Sequence, residues 1–432
     1  MVTMTTSAPS STQRGAVPAD PDTAVSNTEV STTAVSNAVV SDTAPSGPLA
    51  GLLVADFSRV LAGPYATQML GDLGATVIKV ESPIGDETRG WAPPERDGVS
   101  TYFLGINRNK QDVVLDFADA DDRALAQSLA RTADIVIENF KPGGLAKFGL
   151  DYATVHATNP RAIYASISGF GSAGGAALPG YDLIVQAASG LMSLTGDPEG
   201  QAYRSGVSVF DVMTGMQATI GILAALNHRN LTGEGQHIEV NLLSTALSAM
   251  ANHSSTFVAG GTVPFRMGNA HPSLFPYEPL PASDGEIVIV AANDAQFRRL
   301  SAALGAPELA DDPRFATTED RNHHRGELRP LLVERLASHT VAEWFDLLTD
   351  AGIACGPINT IDGGIALAER LGLDPVVLVG EGDGAVPMVR NPIGFSLTPA
   401  SYRSAPPALG ANDDEVRDWL RGLAAAAPEG EA

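Results

Sequence analysis

Residues 47–83, GPLAGLLVADFSRVLAGPYATQMLGDLGATVIKVESP, switch between the two side-chain periodicities that a regular backbone allows. The apolar run 52–57 is short and strand-like, and Ala62-Gly63-Pro64 breaks it. Ala66, Met69, Leu70 and Leu73 then recur at helical spacing, Gly74 stops them, and 77–80 is strand-like again. Strand, helix and strand in that order make a βαβ unit, whose strand-end crevices commonly hold nucleotide-like ligands.

The alternation continues. Strands are expected at 113–117, 134–139 and 162–168, with helices at 119–132 and 144–157 between them. Repeated βαβ order predicts an α/β fold, a Rossmann-like parallel sheet covered by helices. No G-x-G-x-x-G follows the first strand, so the specific dinucleotide signal is absent while the fold signal remains. A helix at 183–192 leads through the turn 196–200 to a long helix at 212–229, apolar on nearly all sides. A strand at 237–242 and a helix at 244–259 follow, and Pro- and Gly-rich text at 260–283 marks a boundary. Beyond it come a strand at 286–291, helices near 295–304, 325–337 and 341–351, the stretch 386–395 and a final helix at 414–423. The predicted organisation is a large domain over 47–259, a smaller α/β domain over 260–350 and a C-terminal segment over 351–432. Residues 1–46 lack aromatics and repeat TAVSN at 23–27 and 33–37. Such text buries too little to offset its ordering entropy and predicts a disordered tail.

A formal net charge of −23 argues against nucleic acid and anionic membrane surfaces as partners. One cysteine, Cys355, excludes an internal disulfide and a thiolate metal cluster, and a reducing, cytoplasmic setting fits. No run of about eighteen apolar residues occurs, so no transmembrane helix is expected. The lysines, Lys79, Lys110, Lys141 and Lys147, all fall in one window of the first domain, where a polyanionic ligand would need positive charge.

Asp211 stands directly before the long apolar helix. In that place it is either an N-cap or a carboxylate kept ionised by helix N–H groups for nucleophilic work, and the two roles are compatible. The opening 47–83 and the segment RSGVSVFDVMTG at 204–215 resemble the family III CoA-transferases, which include formyl-CoA and carnitine CoA-transferases and the 2-methylacyl-CoA racemases. The resemblance spans 48 to about 420.

The resemblance implies that Asp211 falls on the catalytic aspartate, which attacks an acyl-CoA, becomes a mixed anhydride and then an aspartyl-CoA thioester, and passes CoA to an acceptor acid. It implies CoA thioesters as substrates, with succinyl-CoA as a candidate donor, and no tightly bound cofactor or metal. Racemases of the family carry a histidine where this chain has Tyr181 of Gly180-Tyr181-Asp182. A tyrosine is a poor base at neutral pH, which favours acyl transfer and leaves Tyr181 a positioning role. Gly268, Asn269 and His271 match a loop over the family's active site, able to donate hydrogen bonds to an oxyanion or acceptor carboxylate. Val60, Leu61, Arg108, Lys110, Asn139, Phe140 and Lys147 match the family's CoA contacts, with Phe140 stacking and Lys147 pairing with phosphate. Ser82 and Pro179 stand where relatives use an arginine and a lysine, so Arg59, Lys79 or Arg89 would have to substitute. The family's interlocked homodimer is expected. A racemase or epimerase, and a CoA-binding protein without turnover, are the alternatives.

Overall fold

The computed structural model describes residues 46–426, so the tail expected over 1–46 lies outside the described residues apart from Ser46. Six strands form one sheet: β1 (Leu53–Asp56), β2 (Thr76–Glu81), β3 (Lys110–Val114), β4 (Ile135–Glu138), β5 (Ile163–Ser168) and β6 (His237–Asn241). Their order is β3-β2-β1-β4-β5-β6, with every neighbouring pair parallel. This is the doubly wound Rossmann order, and the expected α/β class holds.

Successive side chains point to opposite faces of a strand, so each strand feeds two cores. Leu53, Ala55, Ile78, Val113 and Val136 lie on one side, packed with Leu125 and Leu129. Val416, Trp419 and Leu420 of the helix Asp413–Ala426 close that face. On the other side Val54, Val77, Ile135 and Ile163 pack against helices α1 (Ala62–Asp72), α2 (Asp182–Ala188) and α3 (Val209–Thr232).

Helix α3 begins three residues earlier than expected, which matters for Asp211. By length and composition alone, with a mean hydropathy of 1.5 over its most apolar window, α3 could also cross a membrane, as a core helix of its length can. Ala218, Ile222, Ala225 and Leu226 bury one face of it on the sheet side. Met216, Ile220, Leu223 and Leu231 on the remainder are exposed in the single chain.

Three expected helices come in two pieces. The break falls between Ala146–Phe148 and Tyr152–Thr158, between Asp182–Ala188 and Leu191–Leu194, and between Leu242–Ala249 and Ala251–Val258. Gly149, Gly190 and Ala251 have positive φ at these breaks, a sign that a right-handed helix does not continue through.

A second, antiparallel sheet has the order β9-β8-β7, from β7 (Tyr277–Pro281), β8 (Glu286–Val290) and β9 (Ala354–Pro357). Strand β7 lies within the text read as a boundary because it contains Pro279 and Pro281, which an edge strand tolerates. Ile287, Ile289, Phe297, Leu300, Leu328 and Trp344 centre its core.

Candidate active site

Strand β1 has β2 on one side and β4 on the other, and the chain leaves these strands in opposite directions. The loops after β1 and β4 therefore part, opening the crevice where doubly wound sheets bind ligands. The expected CoA contacts Val60, Leu61, Asn139 and Phe140 all fall on these two loops. Asn139 ties the loops together: its Oδ1 accepts the Arg59 N–H at 3.0 Å and its Nδ2 donates to the Arg59 carbonyl at 2.6 Å. Val60 has φ 70°, a conformation that strains a β-branched residue by about 1–3 kcal/mol. Leu61 is buried at the start of α1.

On one side of the crevice, Phe117, Phe140 and Phe148 line a cavity with Arg59. The Arg59 guanidinium lies 5.7 Å from the Phe140 ring centroid, and the Lys147 ammonium, on an exposed side chain, lies 4.7 Å from that of Phe148.

On the other side, Ala62, Asn139, Phe140, Lys141 and Gly180 line a cavity that also contains Asp211. Two glycines bring its walls together. A Cβ on Gly180 would lie 2.6 Å from the Gly169 Cα, so the Gly-Tyr-Asp segment crosses the end of β5 backbone to backbone. A Cβ on Gly215 would lie 2.6 Å from the Ala62 carbonyl, so α3 and the start of α1 touch one turn beyond Asp211.

Asp211 is not the N-cap. It lies inside the first turn of α3, with Ser208 at the cap position making no side-chain cap bond. The capping carboxylate comes from Asp182, whose Oδ1 accepts the N–H of Phe210 at 2.8 Å and of Asp211 at 3.2 Å. Gln186 donates to Asp182 and to the Val207 carbonyl and accepts the Ser205 N–H, which fixes the approach to the helix. Nor is the Asp211 carboxyl held fully ionised by the helix terminus. Burial, and then the neighbouring Asp182 carboxylate, push its pKa up to about 7. Burial, and then the Asp211 charge, likewise push the Tyr102 hydroxyl up to about 12, although the Ser208 side chain pulls the other way.

Other expected contacts stand elsewhere. Arg108 and Lys110 do not face a ligand. The Arg108 guanidinium pairs with Asp72 at 2.8 and 2.6 Å and donates to the Val389 carbonyl. The Lys110 ammonium uses its three donors on Asp56, the Pro64 carbonyl and Asn107, and burial pulls its pKa down to about 8. Of the three possible substitutes, Lys79 is buried against Asp86, and Arg89 pairs with Glu81 and Asp112. Only Arg59, half-exposed and paired with Glu87, remains at the crevice. Tyr181 is exposed. Gly268, Asn269 and His271 line a separate cavity in the single chain, where His271 rests on Tyr277 and its carbonyl accepts from Arg325. Burial, then Arg325 and His253, hold the His271 imidazole pKa below its usual value.

Four residues of the site carry no role that the sequence alone reveals. Asp182 is visible in its motif, and its function as the α3 cap emerges only once the chain folds back. Tyr102 carries no local signal, while Ser208 is seen only as part of the 204–215 motif and Lys141 only as part of the lysine window; Lys141 is exposed, lines the Asp211 cavity and forms no ion pair among the described residues.

Residues 49–413 match the family described as CoA-transferase family III. Over 390 residues the chain is 44% identical to a succinate–glutarate CoA-transferase of Agrobacterium fabrum, covering 85% of this chain and 94% of that protein. It is 38% identical over 372 residues to a succinyl-CoA:glutarate CoA-transferase of Mus musculus, covering 85% of each. A crystal structure of a CAIB/BAIF family protein from Brucella suis superposes with a TM-score of 0.78 at 42% identity, covering 87% of this chain and all of that one. A carboxyl group in a cavity at a Rossmann switch point, on a chain similar to these proteins over most of its length, makes this chain an enzyme of CoA-transferase family III.

Proposed function

We propose that the chain moves CoA from an acyl-CoA, with succinyl-CoA as donor, to a second carboxylic acid through covalent intermediates on Asp211. The carrying observation is that the Asp211 carboxylate accepts no hydrogen bond among the described residues, although it lies in a cavity beside the crevice. A carboxylate that braces the backbone would be bonded to it, as Asp182 is.

In this reading an Asp211 oxygen attacks the thioester carbonyl carbon, and the C–S bond breaks to release CoA thiolate. The thiolate attacks the Asp211 carbonyl of the resulting anhydride, expels the donor acid and leaves an aspartyl-CoA thioester. The acceptor carboxylate attacks that thioester and expels CoA thiolate, which then attacks the acceptor carbonyl of the new anhydride. Acceptor-CoA leaves and the Asp211 carboxylate is restored. Asp182 raises the basicity of the nucleophile without competing for its oxygens, and the Tyr102 hydroxyl is the neighbouring donor for developing negative charge.

Dicarboxylic donors and acceptors are supported by the relatives, among them the succinyl-CoA:glutarate and succinyl-CoA:mesaconate CoA-transferases. The exposed apolar residues of α3, with Phe257, Val258 and Phe265 beyond it, support a homodimer that covers them. The test is a panel of donor thioesters against acceptor acids, read by chromatography. Succinyl-CoA with a dicarboxylic acid should give the new thioester, and Asp211→Ala should abolish it while free CoA still binds. Turnover by Asp211→Ala would contradict the reading.

A further inference from the structure

We propose that Asp86 is a positioning residue for this reaction: its buried carboxylate holds Val60 in the left-handed conformation that shapes the CoA side of the crevice. This rests on reading the crevice between β1 and β4 as the seat of the CoA thioester.

The loop 58–60 is held by side chains rather than by strand pairing. The Ser58 N–H donates to Asp56 at 3.0 Å, and the Ser58 carbonyl accepts from the Lys79 ammonium at 3.0 Å. Both backbone groups of Arg59 are taken by Asn139. The Val60 N–H donates to both oxygens of Asp86, at 3.2 and 3.4 Å. The grips come from β1, β2, the loop after β2 and the loop after β4, so three residues are fixed from four directions.

Asp86 is itself immobilised. Its side chain is wholly buried and pairs with the wholly buried Lys79 at 3.0 Å. It also accepts the Thr88 N–H and hydroxyl at 3.0 and 2.8 Å, and its own N–H donates to Glu81 at 2.6 Å. A buried ion pair is often no more stabilising than apolar side chains of the same volume. This pair does something that apolar side chains cannot: each end bonds the backbone of the loop, Lys79 at Ser58 and Asp86 at Val60. The N–H bond and the φ of 70° occur at the same residue, where the chain has no glycine to adopt that conformation freely. Two residues on, Ala62 lines the Asp211 cavity and meets α3 at Gly215. The conformation of Val60 thus sets how the start of α1 faces the nucleophile.

The test uses the full chain and four variants: Asp86→Asn, Val60→Gly, the two combined, and Val60→Pro. Free CoA binding is measured by calorimetry, and KM and kcat with succinyl-CoA. Asp86→Asn should raise KM and the CoA dissociation constant roughly tenfold. In the Val60→Gly background the same change should cost about twofold or less, because glycine takes a positive φ unaided. Equal factors in both backgrounds would reduce Asp86 to a structural ion-pair partner and overturn the proposal. Where Asp86→Asn fails to fold, Val60→Pro decides. Proline fixes φ near −65° and removes the N–H that Asp86 accepts while keeping the Lys79–Asp86 ion pair, so folded protein with CoA binding lost is expected, and unchanged binding overturns the role. A wild-type chain that bound no CoA would overturn both this role and the seat on which it rests, whereas equal factors overturn the role alone.

Discussion

Asp182 and Asp211 share one helix terminus: the Asp182 carboxylate accepts the Asp211 N–H at 3.2 Å, and the Asp211 carboxylate accepts no hydrogen bond among the described residues. One acid satisfies the backbone, and the other keeps its oxygens free of hydrogen bonds among the described residues, as the proposed nucleophile requires. The helix dipole favours the charged form of Asp211, but burial and the like charge of Asp182 outweigh it.

This arrangement sets a pH dependence. As the proposed nucleophile Asp211 would attack only when ionised, and its pKa is raised to about 7, so kcat/KM should fall as pH drops below about 7 and level off above it. Asp182→Asn removes the like charge and should move this acid limb to lower pH. A limb that stays in place would mean that Asp182 does not act on Asp211. A pH-rate profile of both proteins measures it.

The same shift makes Asp211 a cost to stability. Its folded pKa lies above the unfolded value near 3.8, so the unfolded chain gives up its proton first and stability falls as pH rises from about 4 through 7. One pKa unit corresponds to about 1.4 kcal/mol. Asp211→Asn should therefore unfold later than wild type at pH 8, by up to a few kcal/mol, and show little difference at pH 4. Denaturant titrations at the two pH values test the sign.

Gly215→Ala places a Cβ 2.6 Å from the Ala62 carbonyl. Separating α3 from α1 to admit it should cost about 1–3 kcal/mol and lower kcat by moving Asp211 relative to the crevice. Ala218→Gly, one turn further along the same buried face, should cost stability without the same loss of kcat. Denaturant unfolding and steady-state kinetics on both variants check the contrast.

Lysines that look alike in the sequence should behave differently. Lys110→Ala leaves Asp56 buried without its cation and should destabilise by about 3–5 kcal/mol. Lys147→Ala, on an exposed side chain beside the aromatic cavity, should leave unfolding unchanged and raise the KM for the CoA thioester by roughly tenfold. Thermal unfolding and steady-state kinetics on the two variants separate the roles.

The parallel sheet is legible in the sequence because its strands alternate with helices at a spacing that only crossover connections satisfy. Asp211, Asn139 and Phe140 are legible through short motifs, and they meet around one cavity. Arg108 and Lys110 mislead because a cation in a motif looks the same whether it faces solvent or an internal carboxylate. Asp56 and Asp72, which claim them, are far away in sequence. The cap of α3 is hidden because Asp182 sets it from another segment, which no window around 211 contains. Strand β7 is hidden by prolines that an edge position accepts.

The most direct measurement is mass spectrometry of the full chain mixed with succinyl-CoA alone, with hydroxylamine added to a parallel sample. The account predicts a covalent CoA adduct in the first sample and a hydroxamate in the second, both on the peptide that contains Asp211 and absent from Asp211→Asn. Turnover with no adduct on that peptide, or with the adduct on another residue, would contradict it.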